Sequence, residues 1–184
     1  VPMSYHEGRI FIQDPRTNID PYRRFTSPGH LGEEFNVRSD SEQDNIFTKL
    51  VDSGTIGPEK YPRALDLYAG DGSWARRFVE HGWDPQNVTC IDRDRTETPL
   101  VPEARWIYMD LFYLAEFLRE HYRLPAGAEA LRHRWDLVAS SYGAIVAKDP
   151  RADQLLLAQF FVRKKGAMIV ERDFSVKKDG RLPR

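Results

Sequence analysis

The sequence predicts an α/β fold built on a doubly wound, mostly parallel sheet, and three observations predict it. From residue 63 onward, short apolar runs alternate with segments of helical length and helical spacing, the arrangement that gives parallel strands joined by crossover helices. The apolar runs lack strict polar alternation, as expected of strands covered by helices on both faces. The first of them, "RALDLYA", passes straight into Gly70 and Gly72, a turn that brings backbone close to a ligand at the carboxyl end of a parallel sheet.

Taken in order, residues 1–36 carry Pro2, Pro15, Pro21 and Pro28, with "GRIFIQD" the one strand-like run. They read as an extended N-terminal arm with a short hairpin, ahead of a domain over 37–184. "SDSEQDNIFTKLVDSG" has a helix start at Ser39 or Ser41, apolar Ile46, Leu50 and Val51, and a closing Gly54. Then come strand "RALDLYA", helix "SWARRFVEHG", strands "NVTCIDR" and "ARWIYMD", helix "LFYLAEFLREHY", strand "WDLVASS", helix "RADQLLLAQFFVRK" and strand "GAMIVER". Pro99 and Pro102 make 95–104 a loop in place of a full crossover helix.

Composition bounds the class. With 184 residues, 41% of them hydrophobic, the chain can bury one sizeable core. No apolar run approaches the ~20 residues that span a bilayer, so no membrane partner is expected. The single cysteine, Cys90, excludes an internal disulfide and fits a cytoplasmic or otherwise reducing compartment. A net charge of −1 excludes a chain that binds nucleic acid by being basic throughout. The charge is uneven, however: Arg163 to Arg184 holds eight Lys or Arg against three acids. Scattered histidines without paired carboxylate or cysteine spacing supply no metal site.

The chemistry concentrates at the glycine turn. Gly70 and Gly72 let the backbone turn sharply, and a helix starting near Ser73 presents free amides to a negative group. "GDGSWA" formally satisfies the dinucleotide pattern G-x-G-x-x-A, and Asp92 stands at the end of the second strand where a ribose-binding acid belongs. A nicotinamide-dependent oxidoreductase is therefore one reading. Asp66 points elsewhere: a dinucleotide strand is apolar up to its first glycine, and this one carries a carboxylate four residues earlier.

"LDLYAGDGS" resembles the first motif, D-x-G-x-G-x-G, of the class I S-adenosylmethionine-dependent methyltransferases, with Tyr68 in place of the first glycine. "VTCIDRD" resembles the second motif and "IYMDLF" the third, so the resemblance extends over residues 45–173 and implies a Rossmann-like methyltransferase core. It implies S-adenosylmethionine as cofactor. Asp66, Tyr68, Gly70, Gly72, Ser73 and Trp74 would form its methionine-end cradle, and Asp92 with Arg93 would meet the ribose diol. Met109 and Asp110 would meet the adenine edge, and Ser140 would close the fourth strand. Asp92 and Asp110 also have plain structural readings, as a turn former and a helix cap.

"FTKLVDSGTI…ALDLYAGDGSWARRFV" is similar to the opening of the FtsJ-type ribose 2′-O-methyltransferases, whose catalytic set is Lys-Asp-Lys-Glu. Lys49 matches the first lysine, whereas Ser141 stands at the aspartate and Glu171 at the second lysine, so the set is broken. Lys49, Ser141, Tyr142 and Glu171 are the candidate catalytic positions, and His30 in the arm is a further base to test. The missing Asp/Asn-Pro-Pro-aromatic turn disfavours base amino methylation, and Cys90 lies on the wrong strand for pyrimidine C5 chemistry. The resemblance implies a methyltransferase with an RNA-like or other hydroxyl or amine acceptor. A binding or scaffold protein that keeps the domain without the reaction is the alternative. The family's terminal antiparallel hairpin is short or missing here, so either the sequence is a shortened one, a partner chain supplies that edge, or the "GRIFIQD" strand takes part of its place.

Overall fold

A computed structural model of the chain describes residues 3–6, 9–12, 33–37, 47–93, 95–140 and 150–171, with side chains over 47–93, 95–140 and 153–169. The strands are β1 (Met3–His6), β2 (Arg9–Ile12), β3 (Glu33–Val37), β4 (Ala64–Leu67), β5 (Val88–Asp92), β6 (Arg105–Met109), β7 (Trp135–Ser140) and β8 (Val162–Glu171). They form one sheet in the order β1-β2-β6-β5-β4-β7-β8-β3, parallel throughout except for the β1–β2 hairpin. Its central five strands follow the doubly wound, Rossmann-like order: from β4 the chain first moves out through β5 to β6, then returns to the other side of β4 with β7 and β8.

The helices are α1 (47–52), α2 (Ser73–Glu80), α3 (Leu111–Arg119), α4 (Ala126–Glu129) and α5 (Pro150–Phe161). Because side chains alternate across a strand, β4 feeds both faces of the sheet. Leu65 and Leu67 join the core under α3 and α5, with Ile91, Ile107, Leu114 and Phe161. Ala64 joins the core under α1 and α2, with Cys90, Trp74, Phe78 and Phe47. On the second face Phe47 meets the rings of Trp74, Phe78, His81 and Trp83 with centroids 4.9–5.8 Å apart, which fixes α1 against α2 mainly by edge-to-face aromatic packing. On the first face, Arg119 of α3 and Asp153 of α5 form a buried ion pair.

Several elements differ from the sequence expectation. Helix α5 gives way to β8 directly at Val162, and "RKK" lies in the strand, not in the helix. The short helix α4, whose Ala128 is buried, has too few residues to show a helical period. "GRIFIQD" supplies β2, but β2 pairs with β6 and not with the β8 edge; β3 flanks β8 instead, in parallel. Strand β3 also runs across the 36/37 boundary between arm and domain. The loop over 95–104 and the helix end at Gly54, where φ is +71°, are as expected.

Candidate functional site

The carboxyl end of β4 sets the geometry. Tyr68, Gly70 and Gly72 have φ of +57°, +56° and +99°, so the chain passes three times through left-handed backbone in five residues. The conformation suits the two glycines and strains Tyr68, the position that the D-x-G-x-G-x-G pattern gives to glycine. The turn is closed by Gly72 N–H donating to Ala69 O at 2.8 Å, and α2 begins at once with Arg76 N–H donating to Gly72 O at 2.9 Å.

Asp66 is fully buried and faces α2. Its Oδ2 accepts from the Ala75 N–H at 2.9 Å, so it secures the first turn of α2 to β4; its Oδ1 has no hydrogen-bond partner among the described residues. Burial pushes its carboxyl well above the ordinary range, opposed by the N–H groups at the start of α2 and reinforced by the charge of Asp92. Cys90, its neighbour across the β4–β5 ladder, is a buried thiol that burial and the same two carboxylates keep protonated.

Asp92, the last residue of β5, reaches back to the turn: its Oδ2 accepts from the Gly70 N–H at 2.8 Å. Arg93 beyond it is exposed. Asp110 follows β6 and caps α3, its Oδ1 accepting from Phe112 N–H at 3.0 Å and Tyr113 N–H at 3.4 Å, which is the plain structural reading of that residue. Met109 is buried and pairs with Ile10 of β2. The Tyr68 ring packs on the α3–α5 face; its hydroxyl is buried without a hydrogen-bond partner among the described residues. Burial and the charges of Asp153, Asp110 and Asp92 push that phenol far above its ordinary range. Tyr68 thus lies within the field of carboxylates from two strand ends.

The other expected residues are placed less centrally. Ser73 is half-buried at the start of α2. Trp74 is fully buried in the aromatic cluster, with the Arg77 guanidinium 4.9 Å from its ring centroid. Ser140 is buried, and its carbonyl accepts from Gln154 Nε2 at 3.0 Å. Lys49 is exposed on α1; its neighbour Thr48 lies 3.3 Å from His81 Nε2, at the end of α2 far from Gly72. Glu171 ends β8 opposite Val37, and its side chain is outside the described residues, as are Ser141, Tyr142 and His30.

Two features of the turn had no local signal in the sequence. The Trp106 ring of β6 packs against Gly72, 3.4 Å from where a Cβ would stand, and its Nε1 donates to Val101 O. Leu100 N–H donates to Asp71 O at 2.8 Å, so the loop after β5 covers one flank of the turn. Trp106 also stacks on Tyr108, two residues along the same strand, with ring centroids 6.4 Å apart. A Cβ at Gly70, by contrast, would meet nothing within 4 Å among the described residues.

Among the described residues no group of three or more His, Cys, Asp or Glu is placed to hold a metal ion, and no helix is long and apolar enough to cross a membrane. No family model and no curated protein sequence matches the chain.

Proposed function

We propose that the chain is an S-adenosylmethionine-dependent methyltransferase acting on an RNA-like or other hydroxyl or amine acceptor. The observation that carries the reading is Asp92, at the carboxyl end of β5, hydrogen-bonded to the Gly70 N–H of the glycine turn, with no described atom within 4 Å of where a Gly70 Cβ would stand. The donor set suits the cofactor. A carboxylate with two acceptor oxygens matches a vicinal diol, and the turn and the first amides of α2 offer N–H groups to a carboxylate. Asp66 acts through the fold, fixing α2 to β4 so that the turn keeps its shape.

A sulfonium methyl is already activated, so the chain's task is positioning, plus removal of a proton when the acceptor is a poorly ionised hydroxyl. Glu171, at the carboxyl end of β8, is the base this reading assigns; Ser141 and Tyr142, after β7, would face the acceptor. Lys49 takes no step in it.

A second reading is a binding or scaffold protein that retains the turn without transfer. It is favoured by the use of Asp92 on Gly70 and Asp110 on α3, which spends acceptor capacity inside the chain. Calorimetric titration with S-adenosylhomocysteine, with NADH as the control, tests both. Micromolar binding that weakens at least about tenfold in Asp92→Ala, with an unchanged circular dichroism spectrum, is expected; methyl transfer to an RNA panel then separates enzyme from scaffold. Binding of NADH alone, or equal binding by Asp92→Ala, removes the methyltransferase reading.

A further inference from the structure

The opposite edge of the sheet, at the amino ends of the strands, carries a second constellation that the proposed methyltransferase site does not use. A cleft of about 220 Å³ lies there, lined by Arg63 before β4, Arg105 at the start of β6, Arg134 before β7, and Gln86, Asn87 and Thr89. The next strand adds three more cations. Between the pairs Trp135↔Val162 and Leu137↔Ala167, β7 advances two residues and β8 advances five. The three extra residues form a bulge within Arg163-Lys164-Lys165-Gly166. Gly166 is required because a Cβ would stand 2.6 Å from Val162 Cγ2 and 2.7 Å from Asp136 O; Lys165 adopts φ +60° beside it. Bulges commonly re-aim side chains at a functional edge.

One buried acid organises the group. Asp136 is 3% exposed and takes the Arg63 N–H at 2.9 Å, Arg63 Nε at 3.3 Å, Arg63 Nη2 at 3.2 Å and Arg163 Nε at 2.6 Å. Burial pushes its carboxyl up, but the Arg63 and Arg163 hydrogen bonds outweigh that and hold it below the ordinary range. A single carboxylate thus fixes two guanidinium groups and neutralises one. Arg134, Lys164 and Lys165 are exposed and have no acidic partner among the described residues. Asp84, near the cleft, spends Oδ1 capping the turn that carries Gln86. Arg134, Lys164 and Lys165 therefore add positive charge to this edge that no described acid offsets, and an external anion relieves the resulting repulsion.

We infer that this edge binds the phosphate backbone of a nucleic-acid strand, with the Arg63, Arg105 and Arg134 cleft seating one phosphate. A lone phosphate fits the cleft alone. The basic row continues from β6 through β4 and β7 to β8, four strand spacings or about 19 Å, which matches a ligand that repeats its charge along a line. Arginine forks suit phosphate oxygens, and Gln86, Asn87 and Thr89 add neutral donors.

Fluorescence anisotropy of a labelled 20-nucleotide RNA, titrated with the full chain over a series of salt concentrations, tests the inference. Arg105→Gln/Arg134→Gln leaves the Arg63–Asp136–Arg163 group intact and is expected to weaken binding at least about tenfold. It is also expected to reduce the slope of log K against log salt by about 0.7, for the one phosphate that the cleft seats. Lys164→Gln/Lys165→Gln should act in the same direction and carries the test if the first pair misfolds. Arg76→Gln/Arg123→Gln removes the same formal charge elsewhere and should change neither quantity. Inorganic phosphate and a nucleoside monophosphate should compete only weakly. No binding by the unmodified chain, equal loss in the control pair, or saturable phosphate binding without RNA binding overturns the inference. Titration of the edge variants with S-adenosylhomocysteine should match the unmodified chain, so failure at this edge is separable from failure at the glycine turn.

Discussion

Asp66 is the residue on which the glycine turn rests, and its environment makes a pH prediction. With its carboxyl held above an ordinary value of 3.8 by burial, the folded chain binds a proton more tightly than the unfolded chain does. Between those two values stability falls as pH rises, and above the folded value the full cost of the buried charge persists. Asp66→Asn keeps an acceptor for the Ala75 N–H and removes the charge. The difference in Tm between variant and parent should therefore grow from pH 4 upward in favour of the variant; parallel Tm curves from pH 4 to 8 would show that Asp66 does not titrate in this way. The acid was legible in the sequence because it interrupts an apolar strand. Its partner was not, since whether a carboxylate meets a ligand or a helix amide depends on how α2 sits over β4. Asp110 shows the same limit, for an N-cap and a ligand acceptor look identical in a sequence. Trp106 was less legible still, being 34 residues from the Gly72 it packs against.

Among the elements, β8 departs furthest from what its sequence suggested. The period of "LLLAQFFVRK" continues past Phe161, so local pattern extends the helix, while pairing with β7 wins the residues from Val162 onward for the sheet. Gly166 marks where that competition is settled. Gly166→Ala places a methyl group within 3 Å of Val162 Cγ2 and of backbone oxygens, neither of which can yield without opening the bulge. A loss of about 2 kcal/mol or more is expected in urea denaturation, accompanied by weaker RNA binding through the displaced Arg163, Lys164 and Lys165. A stability within about 0.5 kcal/mol of the parent would mean that the bulge is not tightly packed. Strands β4 to β7 and helices α2 and α3 were legible to within a few residues because apolar period and glycine punctuation agreed.

At the scale of the molecule, the sheet is finished at both sides by the N-terminal segment: the β1–β2 hairpin extends it beyond β6, and β3 lies outside β8. This topology could not be read from the sequence, because short strands carry no mark of which edge they join. Removing residues 1–12 bares the β6 edge, and unpaired edges recruit other chains. The shortened chain should self-associate at concentrations where the parent is monodisperse, as followed by light scattering; identical scattering would show that the hairpin does not protect that edge.

The same topology sets a timetable for biosynthesis. Ile10 pairs with Met109, synthesised 99 residues later, and Phe35 with Ile169, 134 residues later. At ribosomal rates of about 5–20 residues per second, β2 waits roughly 5 to 20 seconds and β3 roughly 7 to 27 seconds for these partners, while β4, β5 and β6 are made within about 46 residues of one another. The β4–β6 part of the sheet is therefore made first, the β1–β2 hairpin can dock once Met109 is made, and the β8–β3 border is sealed last, so β3 stays without its neighbour while the whole of β4 to β7 is synthesised.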